Sequence, residues 1–289
     1  MIELIKAFKD IKYTDPTHKY YHEDQQLISI TQLIGNFKEK FNNEYWTAIK
    51  AYQFSGCTTK QKWQGKSYDP SCFYADGRLT YLTDDHSFLS VTPQMVKDQW
   101  SLESFVGTTR GTYTHKYLEN LERGIIDKPD FILPKGLDTI SAVKYVRSIE
   151  LVDNLCLQYL EEYDFLIPIF LEFKVGDPQL GIAGTFDRLY FNERTNQHEI
   201  WDFKTDKKID ITNKYQKLKF FDVDDCHFNK YSVQTSFYKY LIEKHTNMVL
   251  GDSNIVHFNL REERLDSYKC IDFTQQLKNE YDWSTYIKS

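Results

Sequence analysis

The 289-residue sequence is short of the features that mark several large classes of protein. No apolar run approaches the roughly 20 residues that a membrane span requires, and the first ten residues, which include Glu3 and Asp10, lack the unbroken apolar centre of a secretory signal. The expectation is a soluble, intracellular protein without a membrane partner. Positive charge is not in excess: 36 Lys and Arg face 42 Asp and Glu, a net charge of −6. The chain therefore does not coat nucleic acid by charge alone, although a local basic track is compatible with that sum. The five cysteines, Cys57, Cys72, Cys156, Cys226 and Cys270, are odd in number, widely spaced and without a C-x-x-C pair. That excludes a disulfide framework and a zinc knuckle and leaves free thiols. Gly65-Lys66-Ser67 has the ending of a phosphate loop, but position 60, where the motif needs glycine, is Lys60; no nucleotide cofactor is expected. Nor does any Pro/Gly/Ser-rich linker divide the chain, so one domain spanning residues 1–289 is expected.

Two short apolar runs, Ile182 to Phe191 and Glu199 to Lys204, flank the polar segment Asn192 to Gln197, the composition of a β-hairpin. Strand alternation puts Ile200, Asp202 and Lys204 on one face and Trp201 and Phe203 on the other, and Asp187 can lie opposite them. Two carboxylates that close repel unless a cation lies between them, and hard oxygen ligands suit Mg²⁺ or Mn²⁺. A lysine beside such a cation is placed to orient a water. Taken alone, Asp-x-Lys on a strand is more often an exposed ion pair. Here Gly181 and Gly184 interrupt the first strand where a ligand or another backbone could come close.

Around the hairpin, Tyr20 to Thr31 reads as strand, turn and strand running into a helix capped by Ser29 or Thr31. Residues 52–90 form an insertion in which Trp63, Tyr68 and other rings alternate with cations. Such a mix suits a single-strand binding surface, but the aromatic richness of the whole chain, with 20 Phe and 21 Tyr, accounts for it equally. Thr92-Pro93 starts a helix. After Gly107 to Gly111 a second helix is expected over Thr112 to Arg123, where His115 and Glu119 share a face, the usual spacing of a surface pair. Asp138 to Tyr163 has the period of a packed helix. Leu166 to Phe173 reads as a buried strand carrying Glu172. Lys207, Lys208, Lys214, Lys217 and Lys219 make a basic run that could follow a phosphate backbone or simply be a solvated face. A helix over Lys230 to His245 puts Gln234 and Tyr238 on one face. Ile255 to Leu260 ends the sheet, and a helix occupies the C-terminal residues.

Four of these segments together resemble a known family. Gly184-Thr185-Phe186-Asp187 followed by Asp202-Phe203-Lys204 looks like motifs II and III of the PD-(D/E)XK nucleases, in the form found in RecB-type nucleases, lambda-type exonucleases and the mitochondrial genome maintenance exonuclease. Arg110-Gly111-Thr112 with His115 and Glu119 resembles motif I of the RecB-type branch, and Gln234-x-x-x-Tyr238 its further motif. Ser29 to Ile34 with Phe41 and Tyr45-Trp46 is similar to the N-terminal region of the mitochondrial-type enzymes. The namesake proline is replaced by Phe186, as is usual in that branch. Cysteines after the hairpin are too few for the iron–sulfur cluster of some relatives.

The resemblance implies an α/β fold: a restriction-endonuclease-like core with a mixed central β-sheet flanked by helices, plus an N-terminal region and an insertion. Residues 1–51, 52–90, 91–260 and 261–289 would be the N-terminal strand and helix region, the insertion, the catalytic core and the C-terminal helix. It further implies a Mg²⁺- or Mn²⁺-dependent deoxyribonuclease, an exonuclease on single-stranded DNA or free ends, acting with protein partners in replication, recombination or repair. Asp187, Asp202, the Phe203 carbonyl and His115 would hold the metal, with Glu119 and Glu172 as further candidates near it. Lys204 would act on the attacking water, and Gln234 and Tyr238 would support the site. Arg110, Lys207, Lys208, Trp63 and Tyr68 would meet the nucleic acid, Arg110 beside a helix N-terminus opened by Gly111 and suited to a phosphate. Two other readings share these residues: a catalytically silent nucleic-acid-binding module, and a structure- or sequence-specific endonuclease.

Overall fold

The computed structural model describes all residues except 15–17, 39–41, 55–92, 134, 136, 138, 214, 215 and 289. The expected insertion therefore lies largely outside the described residues, Trp63 and Tyr68 with it. The chain forms two compact units, one of residues 1–39, 110–133 and 140–289, the other of residues 40–109 and 134–139.

The described elements, in chain order, are α1 (Ile2–Phe8), β1 (Ile11–Thr14), β2 (Lys19–His22), β3 (Gln25–Ser29), α2 (Ile30–Asn36), α3 (Asn43–Phe54), α4 (Pro93–Glu122), α5 (Thr139–Glu162), β4 (Leu166–Asp177), β5 (Ile182–Asn192), β6 (Gln197–Lys204), β7 (Lys217–Leu218), β8 (Val223–Asp224), α6 (His227–His245), β9 (Leu250–Asn259), β10 (Arg264–Lys269), α7 (Thr274–Leu277) and α8 (Glu280–Ser284). The larger unit is built on an eight-stranded sheet ordered β1-β2-β3-β5-β6-β9-β10, with β4 also paired to β5. Among the described strands only β3 with β5 and β6 with β9 run parallel, so the sheet is mixed. This is the α/β architecture with a mixed central sheet expected of a restriction-endonuclease-like fold.

Ser29 is the cap of α2: its hydroxyl accepts from the Gln32 amide at 3.1 Å and the Gln32 side chain answers the Ser29 amide, a complete capping box. One face of the sheet packs on α2 and α6 through Ile30, Leu33, Phe186, Ile200, Val233, Phe237 and Leu241. The other packs on α5, where Tyr159 meets Phe203 edge-on at 5.1 Å and Tyr163 meets Trp201 at 5.3 Å. Much of the aromatic content thus fills the two layers beside the central strands. The β5–β6 turn is fixed by Asn192, whose Oδ1 accepts from the amides of Arg194 and Thr195. Asn196 takes the left-handed conformation, φ 55°, that asparagine tolerates.

Two expectations are corrected. The helix expected to begin at Thr112 is instead part of the 30-residue α4. Gly107 and Gly111 each cost a helix only about 1 kcal/mol, and the threonine hydroxyls are absorbed inside it, Thr109 bonding the Phe105 carbonyl and Thr114 that of Arg110. No helix N-terminus exists at Gly111, and the phosphate site expected there falls away. At the C-terminal end, Arg264–Lys269 pairs antiparallel with β9 before the chain turns helical in the two short pieces α7 and α8. The charged, alternating Arg264-Leu265-Asp266-Ser267-Tyr268-Lys269 is the pattern of an edge strand, and it was hidden by reading Ile255 to Leu260 as the end of the sheet.

Candidate metal centre

Strands β5 and β6 pair from Asn192↔Gln197 to Arg188↔Trp201 and then part. Where the ladder stops, the Asp187 carboxylate replaces it: its Oδ2 accepts from the Phe203 amide at 2.7 Å. On the other side β5 pairs with β4, and here both strands break their alternation together. Phe186 and Leu189, three residues apart, both contribute to the core under α6, and so do Phe170 and Phe173. Strict alternation puts residues three apart on opposite faces. Between those pairs stand Asp187 and Glu172, and Glu172 has φ 51° in mid-strand, a conformation that a non-glycine residue holds only when its surroundings enforce it. The paired kink re-aims both carboxylates.

They converge on His115 of α4. Its Nδ1 lies 3.4 Å from Asp187 Oδ1 and 3.5 Å from Glu172 Oε1, and its Nε2 lies 3.1 Å from the Phe203 carbonyl oxygen. One donor atom from each of His115, Glu172 and Asp187 falls within 4.8 Å of the other two. Asp202 stands outside that trio, drawn to Lys204, whose Nζ is 2.5 Å from Asp202 Oδ2. Buried to 1% exposure, the Asp202 carboxylate has the Lys204 ammonium on Oδ2, while Oδ1 meets no hydrogen-bond partner among the described residues, a lone-pair set that burial makes costly to leave unmet. An imidazole, carboxylates and a carbonyl oxygen in a partly buried recess are a donor set that fits a divalent cation of the Mg²⁺ or Mn²⁺ kind.

The charges respond to this crowding. Burial opposes protonation of His115, but the Asp187 and Glu172 carboxylates outweigh it and raise its pKa to about 10. Burial likewise works against the Asp187 anion, and the charge on His115 overrides it to hold Asp187 below the usual carboxylate range. At Asp202 burial wins: despite Lys204, its carboxyl is lifted to about 6, and the neighbouring Asp187 charge adds to the rise.

Gln234 and Tyr238 of α6 flank the centre, joined by a 2.9 Å hydrogen bond from Gln234 Nε2 to the Tyr238 hydroxyl. Tyr238 explains Gly184: a Cβ there would come 2.7 Å from Tyr238 Cε1 and 3.0 Å from Ile30 Cδ1, so only glycine lets α6 lie this close to β5. Gly111 lies beside Thr205, whose Oγ1 would be in contact with an added Cβ at 3.4 Å. Arg110 donates to the Thr205 carbonyl at 3.1 Å, tying α4 to the end of β6. Glu119 pairs with Lys116 at 3.0 Å and with Arg123 at 2.9 Å and stands outside the trio. Lys208 is exposed and paired with Asp210 at 2.7 Å, and Lys207 is exposed beside it.

The residue that sequence reasoning missed is Arg188, with its partner Glu122. The guanidinium is fully buried and donates to Glu122 at 2.5 Å, Glu172 at 3.0 Å, the Asp187 carbonyl at 2.7 Å and the His115 carbonyl at 3.3 Å. It therefore grips all three members of the trio, and Tyr190 donates its hydroxyl to the same Glu122 carboxylate. The available signal was a lone arginine in the β-forming run Phe186 to Phe191, a cation that a strand buried on both faces accommodates only when paired.

Comparison with known proteins agrees with this geometry. A family described as the PD-(D/E)XK nuclease superfamily matches residues 102–289, and no curated protein matches the chain.

Proposed function

The chain belongs to the PD-(D/E)XK nuclease superfamily, which implies a metal-dependent nuclease, and from that premise we propose that it is a Mg²⁺- or Mn²⁺-dependent deoxyribonuclease of the RecB-type branch that removes nucleotides from the free ends of single-stranded DNA. The observation that carries the reading is the convergence of His115, Glu172 and Asp187 beside the buried Asp202 carboxylate and the Lys204 ammonium paired with it. Asp187, Asp202, the Phe203 carbonyl and His115 would hold the cation, with Glu172 completing the set. A divalent cation bound there supplies positive charge to the phosphate and acidity to a water. Lys204, at the end of β6, is the one ammonium beside these carboxylates among the described residues and orients the attacking water or meets the charge that develops on the phosphate. Arg188 fixes Glu172 and the backbones of Asp187 and His115, so the donors are held before any ligand arrives. Gln234 and Tyr238 support Asp202 from α6. Arg110 and the Lys207-Lys208 pair, close to the end of β6, are the candidate contacts to the strand, and the insertion with Trp63 and Tyr68 is a candidate guide. No helix of the described residues is long and apolar enough to cross a membrane. Action in replication, recombination or repair, with protein partners of such a system, follows the same resemblance.

The test is digestion of end-labelled linear and closed circular DNA, single- and double-stranded, with Mg²⁺, with Mn²⁺ and with chelator. Metal-dependent release of label from linear single strands, with circles spared, is the expected result. Cutting of circles would make the enzyme an endonuclease. Metal-dependent binding without any cutting would make it a binding module of this fold.

A further inference from the structure

One aromatic side chain beside the site has so far been given no role. Tyr231, on the first turns of α6, lies with its ring under the Lys204 ammonium, 4.7 Å from Nζ to the ring centroid. The ring is held from both sides: it stacks on His227, 6.1 Å between centroids and 11° from parallel, and its hydroxyl donates to the Asp206 carboxylate. Asp206 is itself anchored, its carbonyl oxygen 2.8 Å from Nε2 of the buried His257. Because Asp206 is two residues past Lys204 on the same chain, the hydroxyl bond staples the ring to the segment that carries the ammonium.

The Asp202 carboxylate has two claimants. In this geometry Lys204 occupies it at 2.5 Å, yet Asp202 is also one of the groups suited to the cation. When a cation claims that carboxylate, the ammonium loses its partner and is repelled by a second positive charge. A flexible four-carbon side chain would then swing out toward water. The ring face attracts an ammonium through its quadrupole whether or not Asp202 is available. We propose that Tyr231 is a positioning residue for cleavage: its ring face keeps the Lys204 ammonium turned into the site once Asp202 is engaged elsewhere. The inference rests on the nuclease reading given above.

Three variants and one cycle test it. Tyr231→Leu should lower kcat on linear single-stranded DNA about 10- to 30-fold, the size of a desolvated cation–π contact, with KM and Mn²⁺ affinity by calorimetry close to wild type. Tyr231→Phe keeps the ring and should recover most of that loss. In a Lys204→Met background, where turnover is lost, the fall in melting temperature that Tyr231→Leu causes should shrink, because the partner is gone. Phe as damaging as Leu would assign the effect to the hydroxyl and Asp206, overturning the ring-face role. Additive effects in the cycle, or weakened Mn²⁺ binding in Tyr231→Leu, would mark a merely structural residue. If wild type cuts and Tyr231→Leu cuts equally well, this role alone fails. If wild type cuts nothing, the nuclease reading fails and takes this role with it.

Discussion

Arg188→Met is the most searching perturbation of the site that leaves every candidate metal ligand in place. Methionine fills much of the same volume without the charge, so the loss is electrostatic rather than a cavity. The partner that matters is Glu122, whose side chain is only 4% exposed and keeps just the Tyr190 hydroxyl once the guanidinium is gone. Glu172, a third exposed, recovers part of its solvation from water and contributes little. Breaking a buried pair by removing one partner costs about 3–5 kcal/mol, and a single such carboxylate places the expected loss within that range. Urea unfolding at pH 7 should show the fall as a shift of midpoint at an unchanged slope. Burial already raises the Glu122 carboxyl even with Arg188 opposing it. Without Arg188 its folded pKa climbs further above the unfolded value of about 4.3. A carboxyl raised in the folded state destabilises at high pH and is relieved as pH falls through that folded value, so the gap between variant and wild type should narrow from pH 7 to pH 5. Glu122→Gln in the same background should return part of the loss. A penalty below about 1 kcal/mol, or one that does not change with pH, would refute the argument that an uncompensated buried charge is what the variant exposes.

Four further outcomes are expected. Asp202→Ala and Lys204→Ala should each abolish cleavage while binding of DNA in Ca²⁺ persists, since removing a ligand or its neighbour costs catalysis more than packing; wild-type turnover by either would remove them from the site. His115→Ala should raise the metal concentration needed for half-maximal activity, and an unchanged titration would leave His115 outside the coordination set. Asp177, buried between Lys244 at 2.9 Å and His245 at 2.9 Å, has burial working against its charge, but these partners override it and hold its carboxyl below the usual range. Its stabilisation is therefore complete above an unfolded pKa of about 3.9 and fades as pH falls toward the folded value. Asp177→Asn should cost about 1.5–3 kcal/mol at pH 7 and progressively less below pH 4, and a constant gap down to pH 2 would contradict the pairing. Removing Trp63 and Tyr68 together should weaken single-strand binding at constant salt by the roughly 1–3 kcal/mol per base that stacking supplies, whereas phosphate contacts would show in the salt slope; unaltered affinity would leave that segment without this role.

What the sequence made legible, and what it hid, divides along a physical line. The hairpin was readable because alternation and a polar turn are local, and Asp202 and Lys204 share a strand face whatever surrounds them. The cap of α2 was readable only as Ser29 or Thr31, and the capping box with Gln32 places it at Ser29. Arg188 was not, because its meaning lies in Glu122 and Glu172, distant in sequence and meeting only when α4 and β4 flank β5. The helix boundary at Gly111 was misplaced as well. Glycine there reads as a break, but its helix penalty of about 1 kcal/mol is small enough for the surrounding 30-residue helix to override.

The position of the centre follows from the same strands. A regular antiparallel ladder satisfies every backbone group and points successive side chains to opposite faces, so it cannot turn both Asp187 and the next residue, Arg188, toward the one helix, α4, that carries His115 and Glu122. The chain escapes this constraint at one place. The β5–β6 ladder ends at Arg188↔Trp201, the amide of Phe203 is met by the Asp187 carboxylate instead of a strand partner, and Glu172 accepts a strained backbone opposite it. Arg188 sits at that junction and turns its charge on the groups the kink has brought together. The strain at Glu172 is thereby tied to stability through the same guanidinium that orders the donors. Strict alternation there would turn Arg188 away from the face it shares with Asp187.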